Sequence, residues 1–215
     1  MNSFIDIKNI FYINLDKRID RKRHFENQMK IIGWRAFRFP AIEHQNGAIG
    51  CSMSHLKLLE YAKMSKLDHI LIMEDDITFL NPALFKKNLN DFLKSKTNFD
   101  VLLIAGNNMG VFNVINKNCV QVTHCQTTTG YLVKNYYFDT LIDNFKQGIQ
   151  MLFNNSNLLD LYAVDQYWSK LQQRDMWVLL TPLTVTQKPD YSDIEKRTMN
   201  YNKLMLTLDK SQYFR

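Results

Sequence analysis

Residues Leu67–Phe79 read LDHILIMEDDITF: an apolar run, three consecutive carboxylates (Glu74, Asp75, Asp76), then an apolar return. The stretch His69-Ile70-Leu71-Ile72-Met73 is short and rich in β-branched residues, which predicts a buried strand rather than a helix. Three adjacent acids at the end of such a strand repel one another and burial raises their pKa values, so solvent or a cation must compensate them. Hard oxygen ligands suit Mg²⁺ or Mn²⁺. Strand alternation predicts Glu74 and Asp76 on one side and Asp75 on the other. Two acids would then face a shared metal while the middle one serves the scaffold. Solvated acids in a strand-to-loop turn are the plain alternative for the same residues.

Working outward, Ile10–Leu15 (IFYINL) predicts a first strand. A polar turn follows, then a helix over Arg21–Ile31 with Asp20 as its N-cap. Trp34–Ile42 alternates and predicts a second strand interrupted at Pro40; Gln45–Gly50 reads as a loop, and a helix runs from Ser52 to near Ser65. Beyond the acids, Asn81-Pro82 opens another helix. Phe99–Ala105 is a further buried strand, Val111–Val122 a hairpin or edge strand, and Thr128–Val133 a strand leading into a helix over Tyr136–Phe145. A helix over Leu158–Gln172 precedes a strand at Met176–Leu180. From Lys188 onward the chain reads as a polar, irregular tail. Strands alternating with helices predict an α/β protein with a mostly parallel sheet flanked by helices, and no linker divides residues 1–215 into more than one domain.

The 215 residues are 46% hydrophobic and 13% aromatic, with 7 Gly and 4 Pro, which excludes disordered and fibrous classes. Cys51, Cys119 and Cys125 are odd in number and have no paired metal spacing, so neither a disulfide framework nor a zinc-finger pattern is expected. The opening MNSFIDIKNIFYINL carries Asp6 and lacks a basic region followed by a long apolar core, so no secretory signal is expected. No stretch approaches the ~20 apolar residues of a membrane span. The net charge of +6 is concentrated locally. One cluster is Lys17, Arg18, Arg21, Lys22, Arg23, Lys30, Arg35 and Arg38; the other is Lys188, Lys196, Arg197, Lys203, Lys210 and Arg215. Such clusters suit phosphates or an acidic surface. They lack the interleaved aromatic platform of single-strand binders, so no nucleic-acid partner is expected.

Ligands of open α/β sheets bind at the carboxyl ends of strands. Asn14–Arg21, Glu74–Asp76 and Gly106–Asn108 all fall at such ends. A basic loop beside a dicarboxylate could hold a nucleoside diphosphate through a bridging cation. A GxxxxGK(S/T) loop, a GxGxxG fingerprint, HExxH and a GxSxG elbow are all absent from the sequence, which removes the main support for P-loop, nicotinamide, zincin and hydrolase readings.

Several segments together resemble glycosyltransferase family 25, the lipooligosaccharide and procollagen galactosyltransferase family. Tyr12-Ile13-Asn14-Leu15-Asp16-Lys17-Arg18-Ile19-Asp20-Arg21 is similar to its opening motif, Gly50-Cys51-Ser52-Met53-Ser54-His55 to its second, and Ile72-Met73-Glu74-Asp75-Asp76-Ile77 to its acidic motif. Gly130-Tyr131-Leu132-Val133 resembles its strand before a helix, and Ala163-Val164-Asp165 its later valine-aspartate. Gln187 with Ser192-Asp193-Ile194 resembles its tail. The six matches keep the family's order from about residue 10 to 195.

The resemblance implies a GT-A-like, Rossmann-like fold. It implies a UDP-sugar donor with galactose or glucose, a Mn²⁺ (or Mg²⁺) cofactor, inversion at the anomeric carbon, and a glycan or glycoprotein hydroxyl as acceptor, as in lipopolysaccharide biosynthesis. It places Ile13 and Asn14 at uracil and ribose with Arg18 and Arg21 nearby, and Ser54 and His55 toward the nucleotide, together with Gly130 and Tyr131. Glu74 and Asp76 become the metal pair, and Asp75 reaches the donor sugar or braces the loop. Asp165 is the candidate general base, with a carboxylate that merely favours a helix N-terminus as its alternative and Asp139 and Asp160 as weaker competitors. Some relatives complete the metal shell with a late histidine, but the last one here is His124. The remaining candidates are Asp165, Gln187, Asp190, Asp193 or water. The expected setting is a bacterial or viral-host cytosol, compatible with peripheral membrane contact, or a domain of a larger protein; the oligomeric state stays open. The rival reading is a catalytically inert GT-A-like module that binds glycan or nucleotide.

Overall fold

His69–Glu74 is the embedded strand its composition predicts: Ile70, Leu71, Ile72 and Met73 are fully shielded from solvent. The computed structural model describes residues 7–192, 194 and 196–211. In chain order, β1 (Ile10–Asn14) leads to α1 (Ile19–Ile32), β2 (Phe37–Pro40), α2 (Gly47–Met64), β3 (His69–Glu74), β4 (Ile77–Phe79) and α3 (Pro82–Lys94). Then come β5 (Val101–Asn108), β6 (Phe112–Asn116), β7 (Cys119–Val122), β8 (Cys125–Lys134) and α4 (Phe138–Asn154). Three short helices follow, α5 (Leu159–Tyr162), α6 (Val164–Tyr167) and α7 (Ser169–Gln172). The chain continues through β9 (Trp177–Leu180), β10 (Val185–Gln187), β11 (Asp190–Ser192), β12 (Arg197–Met199) and α8 (Asn202–Met205).

The main sheet has eight strands in the order β2-β1-β3-β8-β5-β9-β7-β6. Three neighbouring pairs are parallel (β1 with β2, β1 with β3, β5 with β9) and the other four are antiparallel. Strands β7 and β8 run against the remaining six, so the sheet is mixed with most strands pointing one way. Helices cover both faces. Ile70, Ile72, Val101, Leu103 and Tyr131 pack toward Leu58, Leu59, Phe138, Leu141 and Phe145 of α2 and α4. Leu71, Met73, Leu102 and Ile104 pack toward Phe25, Met29, Ile32, Phe85 and Phe92 of α1 and α3. Even and odd residues of β3 therefore serve opposite layers, and each buried aliphatic or aromatic side chain contributes on the order of 1.5–3 kcal/mol. This is the α/β architecture, a sheet flanked by helices, expected from the sequence.

The boundaries differ from expectation where capping decides them. Helix α2 begins at Gly47, inside the stretch read as a loop, because the Asn46 side chain accepts hydrogen bonds from the N–H groups of Ala48 and Ile49. Gly50 then lies within the helix, where a Cβ would sit 2.6 Å from the Ile42 carbonyl oxygen, so glycine is required for this close approach. Helix α1 starts at Ile19, which puts Asp20 in its first turn, paired with Arg18, rather than at the N-cap. The single helix predicted over Leu158–Gln172 is broken into α5, α6 and α7. Ala163 is extended there (φ −56°, ψ 152°), which interrupts the i to i−4 ladder.

The region after Lys188 is also more ordered than its polarity predicts. Strands β11 and β12 pair antiparallel, and the preceding β10 pairs with β4. Asp193, named above as a metal candidate, and Arg215 of the basic tail lie outside the described residues, as do residues 1–6 of the opening stretch.

Candidate active site

Asn14 closes β1, Glu74 closes β3 and Asn107 stands near the end of β5; all three line one cleft of about 620 Å³. The strand-end clusters singled out in the sequence thus meet in space. Lys17, Arg18 and Arg21 line one side, Cys51, Ser54 and His55 another, and Asp160, Asp165, Gln187 and Asp190 complete the walls.

The three acids differ in their partners. Glu74 keeps the parity of Ile70 and Ile72 and points to the α2 side. Its Oε1 accepts from the Thr128 hydroxyl (2.7 Å) and its Oε2 from the Gln187 amide (2.9 Å). The strand ends there and the chain turns at Asp75–Asp76. The turn brings Asp75 and Asp76 within reach of one arginine. Arg21 Nη1 donates to Asp75 Oδ1 (3.2 Å) and to Asp76 Oδ2 (2.9 Å). Asn14 donates to Asp75 Oδ2 at 2.6 Å. Asp75 and Asp76 are only 6% and 7% exposed, so they are buried floor residues rather than solvated ones.

Charge is under-compensated on this floor. Burial, then the neighbouring charge of Asp76, pushes the Glu74 carboxyl up to about 8. Burial pushes Asp76 up to about 6, with Arg21 pulling it down and Asp75 adding to the rise. Asp75 is raised by burial as well, against Arg21 and Asn14. One oxygen, Asp76 Oδ1, is buried with no hydrogen-bond partner among the described residues. Such an oxygen is costly unless a cation or donor meets it.

The other predicted residues fall into distinct places. Ile13 and Asn14 line the cleft, but the Asn14 amide is already spent on Asp75, on the Arg18 carbonyl (3.1 Å) and on Arg38, which donates to it at 2.9 Å. Arg18 donates to Asp190 (3.0 Å) and to the Tyr191 carbonyl (3.3 Å), and Arg21 also reaches that carbonyl (3.0 Å). The hairpin β11–β12 is thereby tied to the acidic floor, and Lys188 N–H donates to the Asp76 carbonyl at 2.7 Å. Ser54 lines the cleft with its hydroxyl donating to Gly50 O (2.7 Å) and accepting from Ile42 N–H (2.8 Å). Asp165 opens α6 on the cleft wall, its Oδ2 accepting from Thr127 N–H at 3.0 Å.

Three predicted residues stand away from the cleft. A Cβ on Gly130 would meet Ile104 Cγ1 at 2.7 Å, so this glycine serves close packing within the sheet layers. Tyr131 is fully buried, with its hydroxyl 2.8 Å from His55 Nδ1. Asp139 is on the exposed side of α4, ion-paired with Lys63. Asp160 does line the cleft. Sequence reasoning gave no role to Thr128, an ordinary polar residue on β8 with no motif of its own to mark it.

The cleft's position and chemistry define a class first: an α/β protein with an acid floor and arginine wall at its strand ends. The sequence model of glycosyltransferase family 25 (LPS biosynthesis protein) matches residues 43–168, and the chain belongs to that family. A glycosyltransferase 25 family member of Drosophila pseudoobscura pseudoobscura is 27% identical over 103 residues. That match takes in 35% of this chain and 16% of the longer relative. A solved glycosyltransferase involved in glycosylation of the major capsid of PBCV-1 superposes with a TM-score of 0.47 at 11% identity, covering 80% of each chain. A mutant Drosophila β1,4-galactosyltransferase 7, in complex with manganese, UDP-Gal and xylobiose, superposes with a TM-score of 0.42 at 12% identity, covering 97% of this chain and 79% of that one. Membership rests on the sequence model rather than on these superpositions. Among the described residues no helix is long and apolar enough to cross a membrane.

Proposed function

We propose that this chain is a metal-dependent, inverting hexosyltransferase that moves galactose or glucose from a UDP-sugar to a hydroxyl of a glycan or glycoprotein. The observation that carries this reading is the unpartnered, buried Asp76 Oδ1 on an acid floor walled by Arg18 and Arg21. An oxygen-only position with raised carboxyl pKa values fits a hard cation such as Mn²⁺ or Mg²⁺, and neighbouring guanidinium groups fit a diphosphate. Asp76 would hold the metal, with Glu74 beside it. When bound, the cation neutralises charge on the departing diphosphate.

The chain's own residues supply the rest. Ile13 and Asn14 border the nucleoside end, and Arg18 and Arg21 turn from Asp190 and the Tyr191 carbonyl toward the phosphates. Asp165 takes the acceptor hydroxyl's proton as that oxygen attacks the anomeric carbon and the bond from that carbon to the diphosphate oxygen breaks. Its carboxylate is oriented by the Thr127 N–H, which donates to Oδ2.

The test is UDP release from a panel of UDP-sugars with and without Mn²⁺. Hydrolysis should depend on the metal and fall by more than about 100-fold in Asp76→Ala, exceeding the 10–100-fold cost typical of residues that only support a ligand. Cooperative unfolding should be kept. No metal-dependent hydrolysis or transfer with any donor would leave the inert binding module as the reading.

A further inference from the structure

We infer that Cys51, His55 and Glu74 form a separate metal site on the α2 side of the cleft, suited to a borderline-soft divalent cation of the zinc kind. Cys51 and His55 are four residues apart on α2 and so share one face of the helix. Glu74, by the parity of β3, points to the same layer. One ligand atom from each of the three lies within 4.8 Å of the others. A tetrahedral ion with bonds of about 2.0–2.3 Å separates its ligand atoms by about 3.4–3.7 Å, so each separation needs to close by at most about 1.4 Å.

Independent observations agree with a ligating role. His55 is fully buried, and its Nε2 has no partner among the described residues, while Nδ1 stands 2.8 Å from the Tyr131 hydroxyl. Ligating histidines characteristically use one nitrogen for the metal and fix the ring through the other. Burial lowers the His55 pKa to about 3, which keeps the imidazole in its neutral, ligating form. All three residues line the cleft, leaving the ion a fourth position open to water or substrate. Sulfur and nitrogen donors favour zinc-like ions over Mn²⁺ or Mg²⁺, so this site and the one at Asp76 are chemically distinct.

A divalent ion held by a thiolate, a carboxylate and a neutral imidazole leaves the site neutral overall, the thiol and carboxyl protons passing to solvent.

The site shares Glu74 with the transferase reading but rests on Cys51 and His55, and its test reads metal rather than turnover. The metal-free chain is titrated with Co²⁺ and followed by near-ultraviolet thiolate-to-Co²⁺ absorption. One equivalent should bind, with Zn²⁺ displacing it. The band should vanish in Cys51→Ser, weaken at least tenfold in affinity in His55→Gln, and persist in Asp76→Ala. Thermal melts of each variant establish folding; if His55→Gln does not fold, Cys51→Ser and Glu74→Gln decide. No thiolate band at one equivalent, a band that survives Cys51→Ser (and so belongs to Cys119 or Cys125), or loss of the band in Asp76→Ala would overturn the inference. None of these outcomes alters the hydrolysis test at Asp76.

Discussion

The two flanks of the cleft floor hold consecutive carboxylates by opposite means. On the α1 flank, Asp75 and Asp76 share the guanidinium of Arg21, and Asp190 competes for the same cation at 3.6 Å from Arg21 Nε. On the α2 flank, Glu74 has only neutral donors, Thr128 and Gln187, beside a thiol and an uncharged imidazole. The first flank sets its charge against a shared arginine; the second surrounds its acid with neutral groups. Adjacent acids in one motif can thus be prepared for different partners, a hard cation with phosphate on one side and a softer ion on the other.

Substitutions should separate the flanks by size of effect. The largest belongs to Asp165, which stands with the α2 flank and is assigned the proton. Asp165→Asn should cut transfer by about 10²–10⁴-fold, the usual worth of a general base. Its UDP and Mn²⁺ affinities should stay unchanged by calorimetry; weakened metal binding would make it a ligand instead.

Arg21→Ala comes next. It strips the shared cation from two buried acids and should destabilise the fold by about 3 kcal/mol, the lower end for a broken buried pair. For a chain of this size that is roughly 6–12 °C in Tm. The loss should shrink at pH 5, where Asp76 is protonated; an equal loss at both pH values would show that Arg21 acts through packing rather than charge.

A smaller effect comes from pH itself. Glu74 and Asp76 have folded pKa values of about 8 and about 6, above their unfolded values, so the native state binds more protons. Their contribution is fully present below the unfolded pKa values and is lost as pH rises through about 6 and then about 8. The metal-free protein should lose roughly 4–12 °C in Tm between pH 6 and 8.5, on the order of 2–3 kcal/mol, and Mn²⁺ should flatten the slope. A Tm that rises over this range would contradict the electrostatics of both flanks.

Glu74→Gln should have the least effect on metal-free stability, under about 1 kcal/mol, because it replaces a group already neutral at pH 7 by a neutral amide of the same shape. A loss comparable to Arg21→Ala would mean that Glu74 is charged in the fold.

Much of this frame was legible in the residues themselves. The runs at Ile10–Asn14, His69–Met73 and Val101–Ala105 are short, apolar and β-branched, and their strand ends carry the polar clusters that meet in the cleft. Legibility failed where single side chains or distant partners decide. Asn46 caps α2 ahead of Gly47 and Gly50, residues that by themselves read as loop. The three-residue strands β4 and β10 are too short to show alternation, yet their pairing carries Gln187 to Glu74. The Cys51–His55–Glu74 grouping was hidden because a helix and a strand end contribute to it, and only parity on folded elements brings them together.

The central claim is that Asp76 holds a cation needed by the donor's diphosphate. Calorimetric titration of UDP into the chain, with and without Mn²⁺, tests it most directly when repeated on Asp76→Ala. UDP affinity should rise at least about tenfold with Mn²⁺, about 1.4 kcal/mol, and that gain should vanish in Asp76→Ala while metal-free UDP binding is kept. Equal affinity with and without Mn²⁺ in the wild-type chain, or a gain that survives Asp76→Ala, would contradict the assignment.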